Sequence, residues 1–444
     1  MKLLSLFLLI FCFVSHLSAD ESDELIFCNH GLETLDWVLE GIAVAEQSVE
    51  ISAPLMGGEI GHRVLQAVEQ RLAETEGVQV YLLTNPLLIE DADIELIKNL
   101  GKRYPQRFYY TFSARVPMMQ PAVTTIHNHM KLIVIDERYY IAGGTNLHDR
   151  FCSSGIEPVE GEGGRDSDLI GRGAQAVHLR KIFFNLLAVW ENYQKTKRLD
   201  YDPSHFADSS RYFPIHLDQK RAWISAFESS NGRIQPRAME TIFSGAMDRP
   251  NKISSKYVEL VHQTEKSLVI GNLYFNPTDR LFKALVAAVN RDLDFTLYTN
   301  GLFEGVSPPF NKLFAWGNRV NYIQVLFGRT FYFWQAVQAS EAPLKKSTIY
   351  EYHVPGILYH KKVMVVDDRY LVIGSYNMGT KSEFGDYELV LVIDSPAACA
   401  KQMQIFEVDR KHSKQVERLQ ALKWHFDPWT AYKGGAQNHC HGFL

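Results

Sequence analysis

Two segments of this chain place the same reactive side chains at the same spacing. Residues 126–146 read IHNHMKLIVIDERYYIAGGTN, and residues 357–377 read ILYHKKVMVVDDRYLVIGSYN. Aligned without a gap, His129, Lys131, Asp136, Gly143 and Asn146 fall on His360, Lys362, Asp367, Gly374 and Asn377, each pair 231 residues apart. One copy offers an imidazole, an ammonium and an amide. Two copies meeting at one pocket offer two of each. Lys131, Lys362, Asn146 and Asn377 suit the oxygens of a phosphate diester, as charge and as oriented donors. The two histidines suit chemistry at phosphorus, one attacking while the other protonates the leaving oxygen. Such a set requires no metal and no other cofactor.

Side chains two apart on a strand share a face, so His129 points with Lys131 and His360 with Lys362, while Met130 and Lys361 face the other way. Asp136 and Asp367 follow each histidine by seven residues and read as turn and support members of the catalytic motif. A nucleophilic histidine needs its second ring nitrogen held by an acceptor. Asp168 in DSDLI and Glu388 in DYELV are the predicted holders, with Asp166 and Asp386 as near competitors, Asp166 the stronger. His127, His148 and His353 read as packed or surface residues and stay outside the site.

These residues need elements to position them. In the first half, helix patterns at 33–46, 60–74 and 90–102 alternate with strand-like runs at 48–53, 78–84 and 107–112. Strands at 129–136, 139–143 and 167–172 and a helix at 174–194 follow. The second half repeats the order: helix 254–265, strand 267–274, helix 277–290, strand 293–299, strands 361–367, 369–374 and 387–393, helix 395–407. It carries sixteen extra residues within 301–359, including the aromatic run Phe331-Tyr332-Phe333-Trp334, which reads either as a lipid-facing lip or as a covered element. Alternation of this kind predicts an α/β layered fold, written twice, and two such halves could meet about a pseudo-twofold. The expected divisions are a leader at 1–19, a first half at 20–196, a connection at 197–225, a second half at 226–408 and a tail at 409–444.

Lys2, an apolar run from Leu3 to Val14 and the small residues to Ala19 predict an export signal, and no later stretch is apolar for long enough to span a bilayer. Cys12 leaves with the leader. Cys28, Cys152, Cys399 and Cys440 remain, either with Cys28 paired to Cys440 or as buried thiols. The chain of 444 residues carries −5, with 46 Lys and Arg against 51 Asp and Glu. No basic footprint for stable nucleic-acid binding is present.

The doubled pattern His-x-Lys-x4-Asp, each followed by Gly-Gly/Ser-x-Asn, resembles the phospholipase D superfamily over roughly residues 25 to 408. The second copy, with Glu388 downstream, resembles the phospholipase and cardiolipin synthase branch. The resemblance implies two similar α/β halves packed side by side with one active site at their interface, and a metal-independent reaction through a covalent phosphohistidine, His129 resembling the nucleophile and His360 the general acid and later base. Lys381-Ser382 departs from the Arg-Ser that relatives often carry after the second Asn. The leading expectation is an exported, periplasmic or secreted phosphodiesterase acting on phospholipids at a membrane surface. The alternatives are a cardiolipin synthase-like phosphatidyltransferase, a nuclease, or a catalytically silent scaffold.

Overall fold

The structure, a computed structural model, describes residues 22–120, 123–199, 225–302, 309–327 and 347–433, apart from single residues 231, 247, 292 and 431. The leader at 1–19, all but the ends of the connection, the aromatic run 331–334 and Cys440 lie outside the described residues.

The first half runs β1 (Glu24–Cys28), α1 (Gly31–Val44), β2 (Ser48–Ala53), α2 (Gly58–Glu74), β3 (Gln79–Thr84), α3 (Asp91–Arg103), β4 (Phe108–Phe112), β5 (Val123–Asn128), β6 (Leu132–Ile135), β7 (Tyr139–Gly143), β8 (Gly163–Arg165), β9 (Asp168–Arg172) and α4 (Gln175–Thr196). The second runs β10 (Ala238–Ser244), α5 (Lys252–Gln263), β11 (Ser267–Asn272), α6 (Asp279–Asn290), β12 (Asp294–Asn300), α7 (Pro309–Phe327), β13 (Ser347–Tyr352), β14 (Ile357–Tyr359), β15 (Lys362–Val366), β16 (Tyr370–Gly374), β17 (Asp386–Asp394), α8 (Pro396–Lys411), β18 (Ser413–Gln415) and α9 (Arg418–Phe426).

Each half builds the same sheet. The order is β1-β9-β7-β6-β2-β3-β4 in the first and β10-β17-β16-β15-β11-β12-β13 in the second, with β18 added at the β13 edge. β2, β3 and β4 are parallel and joined by helical crossovers, so helices cover them and β2 is buried along its whole length. One apolar core lies within each half. A third draws on both, bringing Phe183, Phe184 and Trp190 of α4 together with Tyr387 and Leu389 of β17 and Phe406 of α8. Cys28, Cys152 and Cys399 are buried free thiols in these cores. Among the described residues, no helix is long and apolar enough to cross a membrane.

Asp136 and Asp367 perform one structural task twice. Each opens the two-residue turn of a hairpin, β6–β7 or β15–β16, at φ 54° and 53°, with Glu137 and Asp368 also at φ 53°. Such turns need positive φ at both central residues, which Asp tolerates better than branched side chains do. Each carboxylate then accepts three backbone N–H groups at the start of the neighbouring strand. Asp136 takes Glu46, Gln47 and Ser48 at 2.7–2.9 Å, and Asp367 takes Glu265, Lys266 and Ser267 at 2.8–2.9 Å. Their inclusion among the catalytic residues is corrected accordingly: their oxygens are committed to the scaffold.

Two boundaries differ from the sequence expectation. The strand expected at 129–136 begins only at Leu132, because β5 pairs with β17 of the other half and the chain must bend at 129–131 to change sheets. The second half also runs past 408. Asp409 of α8 is fully buried, β18 extends the sheet, and α9 contributes Ala421 to the second-half core. Asp409 latches the halves together, accepting from Arg165 Nε at 2.7 Å, Lys361 Nζ at 2.6 Å and the Tyr359 hydroxyl at 3.0 Å.

Candidate active site

Each motif histidine is delivered by a strand that has left its own sheet. β5 runs parallel to β17, setting His127 opposite Asp386, and His129 N–H donates to Tyr387 O at 3.0 Å. In the mirror arrangement β14 runs parallel to β8, and His360 N–H donates to Arg165 O at 2.8 Å. In both cases the accepting carbonyl belongs to the residue just before a buried carboxylate. His129 Nδ1 meets Glu388 at 2.9 and 3.0 Å, and His360 Nδ1 meets Asp166 at 2.5 Å. Each imidazole is therefore held by the opposite half. An ionised carboxylate accepts from Nδ1–H and so leaves Nε2 with its lone pair for the pocket; at His360 the Lys362 Nζ also lies 2.9 Å from Nδ1.

Asp168 does not hold a histidine, contrary to the sequence expectation. The β7–β9 ladder sets it opposite Gly143, while the equivalent β16–β17 ladder sets Val390 opposite Gly374. The counterpart of Glu388 is thus Asp166, two residues earlier. Asp168 accepts from the hydroxyls of Thr34 at 2.7 Å and Thr145 at 2.5 Å and from Thr145 N–H at 3.1 Å, which fixes the loop carrying Asn146.

A pocket of about 150 Å³ lies between the halves, with His129, His360, Asn146 and Asn377 in its lining. Asn146 is 1% exposed, yet neither its Oδ1 nor its Nδ2 has a hydrogen-bond partner, and Asn377 Oδ1 is likewise unmatched. A buried polar group left unpaired costs about 1–3 kcal/mol, so these amides are set for a ligand. Lys131 and Lys362 are buried beneath the histidines, their ammonium groups donating to the carbonyls of His129 and His360.

Charge and burial set the protonation states. Burial drives Lys131 down to about 8 and Lys362 to about 7, although Glu388 and Asp166 oppose this. Burial, with the two lysines, holds both motif imidazoles well below their ordinary range, which favours the neutral ring. Burial pushes Glu388 up to about 8, helped by Asp386 and opposed by Lys131 and by the hydroxyls of Ser375 and Ser382. Burial also pushes Asp166 up to about 6.

Three further residues line this pocket and were missed or dismissed from sequence. His127 Nδ1 meets Asp386 at 2.6 Å, and Lys381 Nζ donates to the same carboxylate at 2.6 Å. Ser382 Oγ donates to Glu388 at 2.5 Å and accepts from Asn377 N–H at 3.2 Å, tying the second asparagine to the first histidine's carboxylate. The departure Lys381-Ser382 was the one available signal for two of them. Among the described residues, ligand atoms of His129, Asp386 and Glu388 lie within 4.8 Å of one another, a spacing able to hold a metal ion, but each is already engaged as described.

The chain matches the family model described as cardiolipin synthase, phospholipase D-like domain, over residues 38–157 and 257–410. It is 23% identical over 401 residues to cardiolipin synthase 1 of Staphylococcus epidermidis, covering 90% of this chain and 70% of that one. It is 23% identical over 414 residues to the major cardiolipin synthase ClsA of Bacillus subtilis, covering 92% and 74%. Phosphatidylserine synthase from Haemophilus influenzae Rd KW20 shares the fold, with a TM-score of 0.66 at 14% identity over 95% of both chains. With both motif copies falling inside the matched segments, the chain belongs to the phospholipase D superfamily, in the family of cardiolipin synthase-type phospholipase D-like domains.

Proposed function

We propose that this protein is a phosphatidyltransferase, moving a phosphatidyl group from one phospholipid alcohol to another through a covalent phosphohistidine. This ranks the transferase above the hydrolase that the sequence alone put first. The observation that carries the phosphoryl chemistry is the pair of imidazoles, each held by the opposite half's carboxylate and lining one pocket with the unmatched Asn146 amide. Cardiolipin synthase relatives and a phosphatidylserine synthase fold neighbour support transfer.

In this reading His129 Nε2 attacks phosphorus while the leaving oxygen takes a proton from His360. Lys131, Lys362 and the two asparagines meet the non-bridging oxygens. The diester's negative charge offsets the ammonium charges that depress His360, which lets it carry the proton when substrate is bound. An incoming alcohol then bonds to phosphorus as the phosphorus–nitrogen bond breaks, and its proton returns to His360. Purified protein on phosphatidylglycerol vesicles, with and without added deuterium-labelled glycerol, tests this. The expected product is labelled phosphatidylglycerol that rises with the concentration of labelled alcohol. Phosphatidic acid alone at every alcohol concentration would overturn transfer in favour of hydrolysis, and cleavage of single-stranded DNA without action on vesicles would favour a nuclease.

A further inference from the structure

The chain neighbours of the His360–Asp166 pair converge on one buried carboxylate behind it. Arg165 precedes Asp166, while Tyr359 and Lys361 flank His360. All three donate to Asp409 of α8: Arg165 Nε at 2.7 Å, Lys361 Nζ at 2.6 Å and the Tyr359 hydroxyl at 3.0 Å. Asp409 and Lys361 are fully buried, and Arg165 is 2% exposed. β8 and β14 are registered here, Arg165 opposite Tyr359, and His360 N–H donates to Arg165 O at 2.8 Å. The matching positions behind His129 are Tyr387, Asn128 and Met130, and none is charged. Tyr387 and Met130 lie in the apolar core, Trp190 of α4 packs on Tyr387 at 6.1 Å between ring centroids, and Asn128 donates to the Ser52 hydroxyl at 3.0 Å. Only the His360 pair is backed by an ionic clamp.

We propose that Asp409 is a positioning residue for proton transfer, holding His360 against Asp166 through Arg165, Lys361 and Tyr359. The inference rests on the phosphohistidine reading and adds what fixes its proton donor from outside the pocket. Burial pushes Lys361 down to about 7 against the pull of Asp409 and Asp166. Although burial pushes Asp409 up, Lys361 and Arg165 hold it below the ordinary carboxylate range. Removing Asp409 leaves two buried cations without their shared anion, and Lys361 then pulls on Asp166, the acid that orients His360. A displacement of about 1 Å at a reacting group costs about 10²-fold in rate. In the first step the bond from His129 Nε2 to phosphorus forms, the bond to the leaving oxygen breaks, and that oxygen takes the His360 proton. An alkoxide needs that proton to leave, whereas p-nitrophenolate leaves without it.

The test compares those two leaving groups on the full-length enzyme. The substrates are a soluble short-chain phosphatidylglycerol and the matching phosphatidyl ester of p-nitrophenol, with kcat/KM taken per mole of folded protein. Asp409→Asn should lower kcat/KM about 10²-fold for phosphatidylglycerol and about threefold or less for the p-nitrophenyl ester. Asp409→Glu, which keeps the charge, should recover about tenfold of that loss. Tyr359→Phe removes one of the three donors and should give the same contrast at about fivefold. Combining Asp409→Asn with His360→Asn should cost little beyond His360→Asn alone, because the clamp acts through that ring. Equal losses on the two substrates, or full additivity with His360→Asn, overturn the positioning role and leave Asp409 as a structural latch. If Asp409→Asn fails to fold, the contrast in Tyr359→Phe and its additivity with His360→Asn decide. A wild-type enzyme that does not turn over phosphatidylglycerol overturns the functional reading itself.

Discussion

The two histidine environments are built on one plan and furnished differently. Around His129 the carboxylate is the longer Glu388, and two hydroxyls donate to it, those of Ser375 and Ser382. Around His360 the carboxylate is the shorter Asp166, and the counterpart of Ser375 is Gly144. A Cβ at Gly144 would stand 2.0 Å from the Asp166 carboxylate, so the shorter acid is packed against bare backbone. The neighbours differ as well. His129 has His127 beside it in a polar wall, whereas His360 packs against Phe151 at 5.1 Å between ring centroids. Duplication supplied identical reactive groups, and their surroundings make them unequal. An attacking nitrogen is best held rigidly by a well-supported carboxylate, and at His360 the Lys362 ammonium also lies 2.9 Å from Nδ1.

The sharpest way to break this comparison is to remove each imidazole. His129→Ala and His360→Ala should each lower turnover by about 10³-fold or more, and the double variant should lose little beyond either single, because the two act as a unit. His360→Asn with an activated leaving group should accumulate acid-labile phosphorus on His129. Label found on His360 would reverse the roles.

Next come the holders. Glu388→Gln and Asp166→Asn should each cost roughly 10²-fold or more in turnover, since the amide favours the wrong tautomer. Asp168→Asn should instead lower stability by about 1–3 kcal/mol through the Asn146 loop, with a smaller effect on rate. Steady-state rates together with chemical denaturation separate the three. An Asp168→Asn loss equal to that of Asp166→Asn would undo the register argument.

Stability variants probe the joint between the halves. Asp409→Asn leaves Arg165 and Lys361 buried without their counter-charge and should cost about 3–5 kcal/mol in denaturant unfolding. Asp136→Ala and Asp367→Ala should each cost about 2–4 kcal/mol, and by similar amounts, because each loses three backbone partners at a positive-φ turn. A large inequality between the twin aspartates would show that the halves are not equally dependent on the device.

The smallest expected effect is on pH. In the proposed reaction the lysines bind phosphate as ammonium, and their depressed values mean that charge is lost as pH rises, first at Lys362 near 7 and then at Lys131 near 8. KM for the lipid should therefore climb severalfold between neutral pH and about pH 9, with kcat changing less. A KM that falls over that range would contradict the phosphate-binding role.

By itself the sequence determined the duplication, the six His, Lys and Asn residues, and most of the strands and helices. Those signals are local: a motif of twenty-one residues, buried runs with strand character, and amphipathic spacing. The same locality made Asp136 and Asp367 recognisable as turn residues. Only the tertiary structure decided which carboxylate serves which histidine, because the partners lie 259 and 194 residues apart and belong to opposite halves. It also chose Asp166 over Asp168. Strand alternation puts both on one face, and the choice depends on where β9 begins and on which strand from the other half lies alongside. His127 was dismissed for the same reason: an isolated histidine has no local signature, and its acid and its ammonium arrive from the far half of the chain. Chemistry shared between halves is written in sequence as residue types, while its pairing is set by which strands cross, a consequence of packing two sheets against one another.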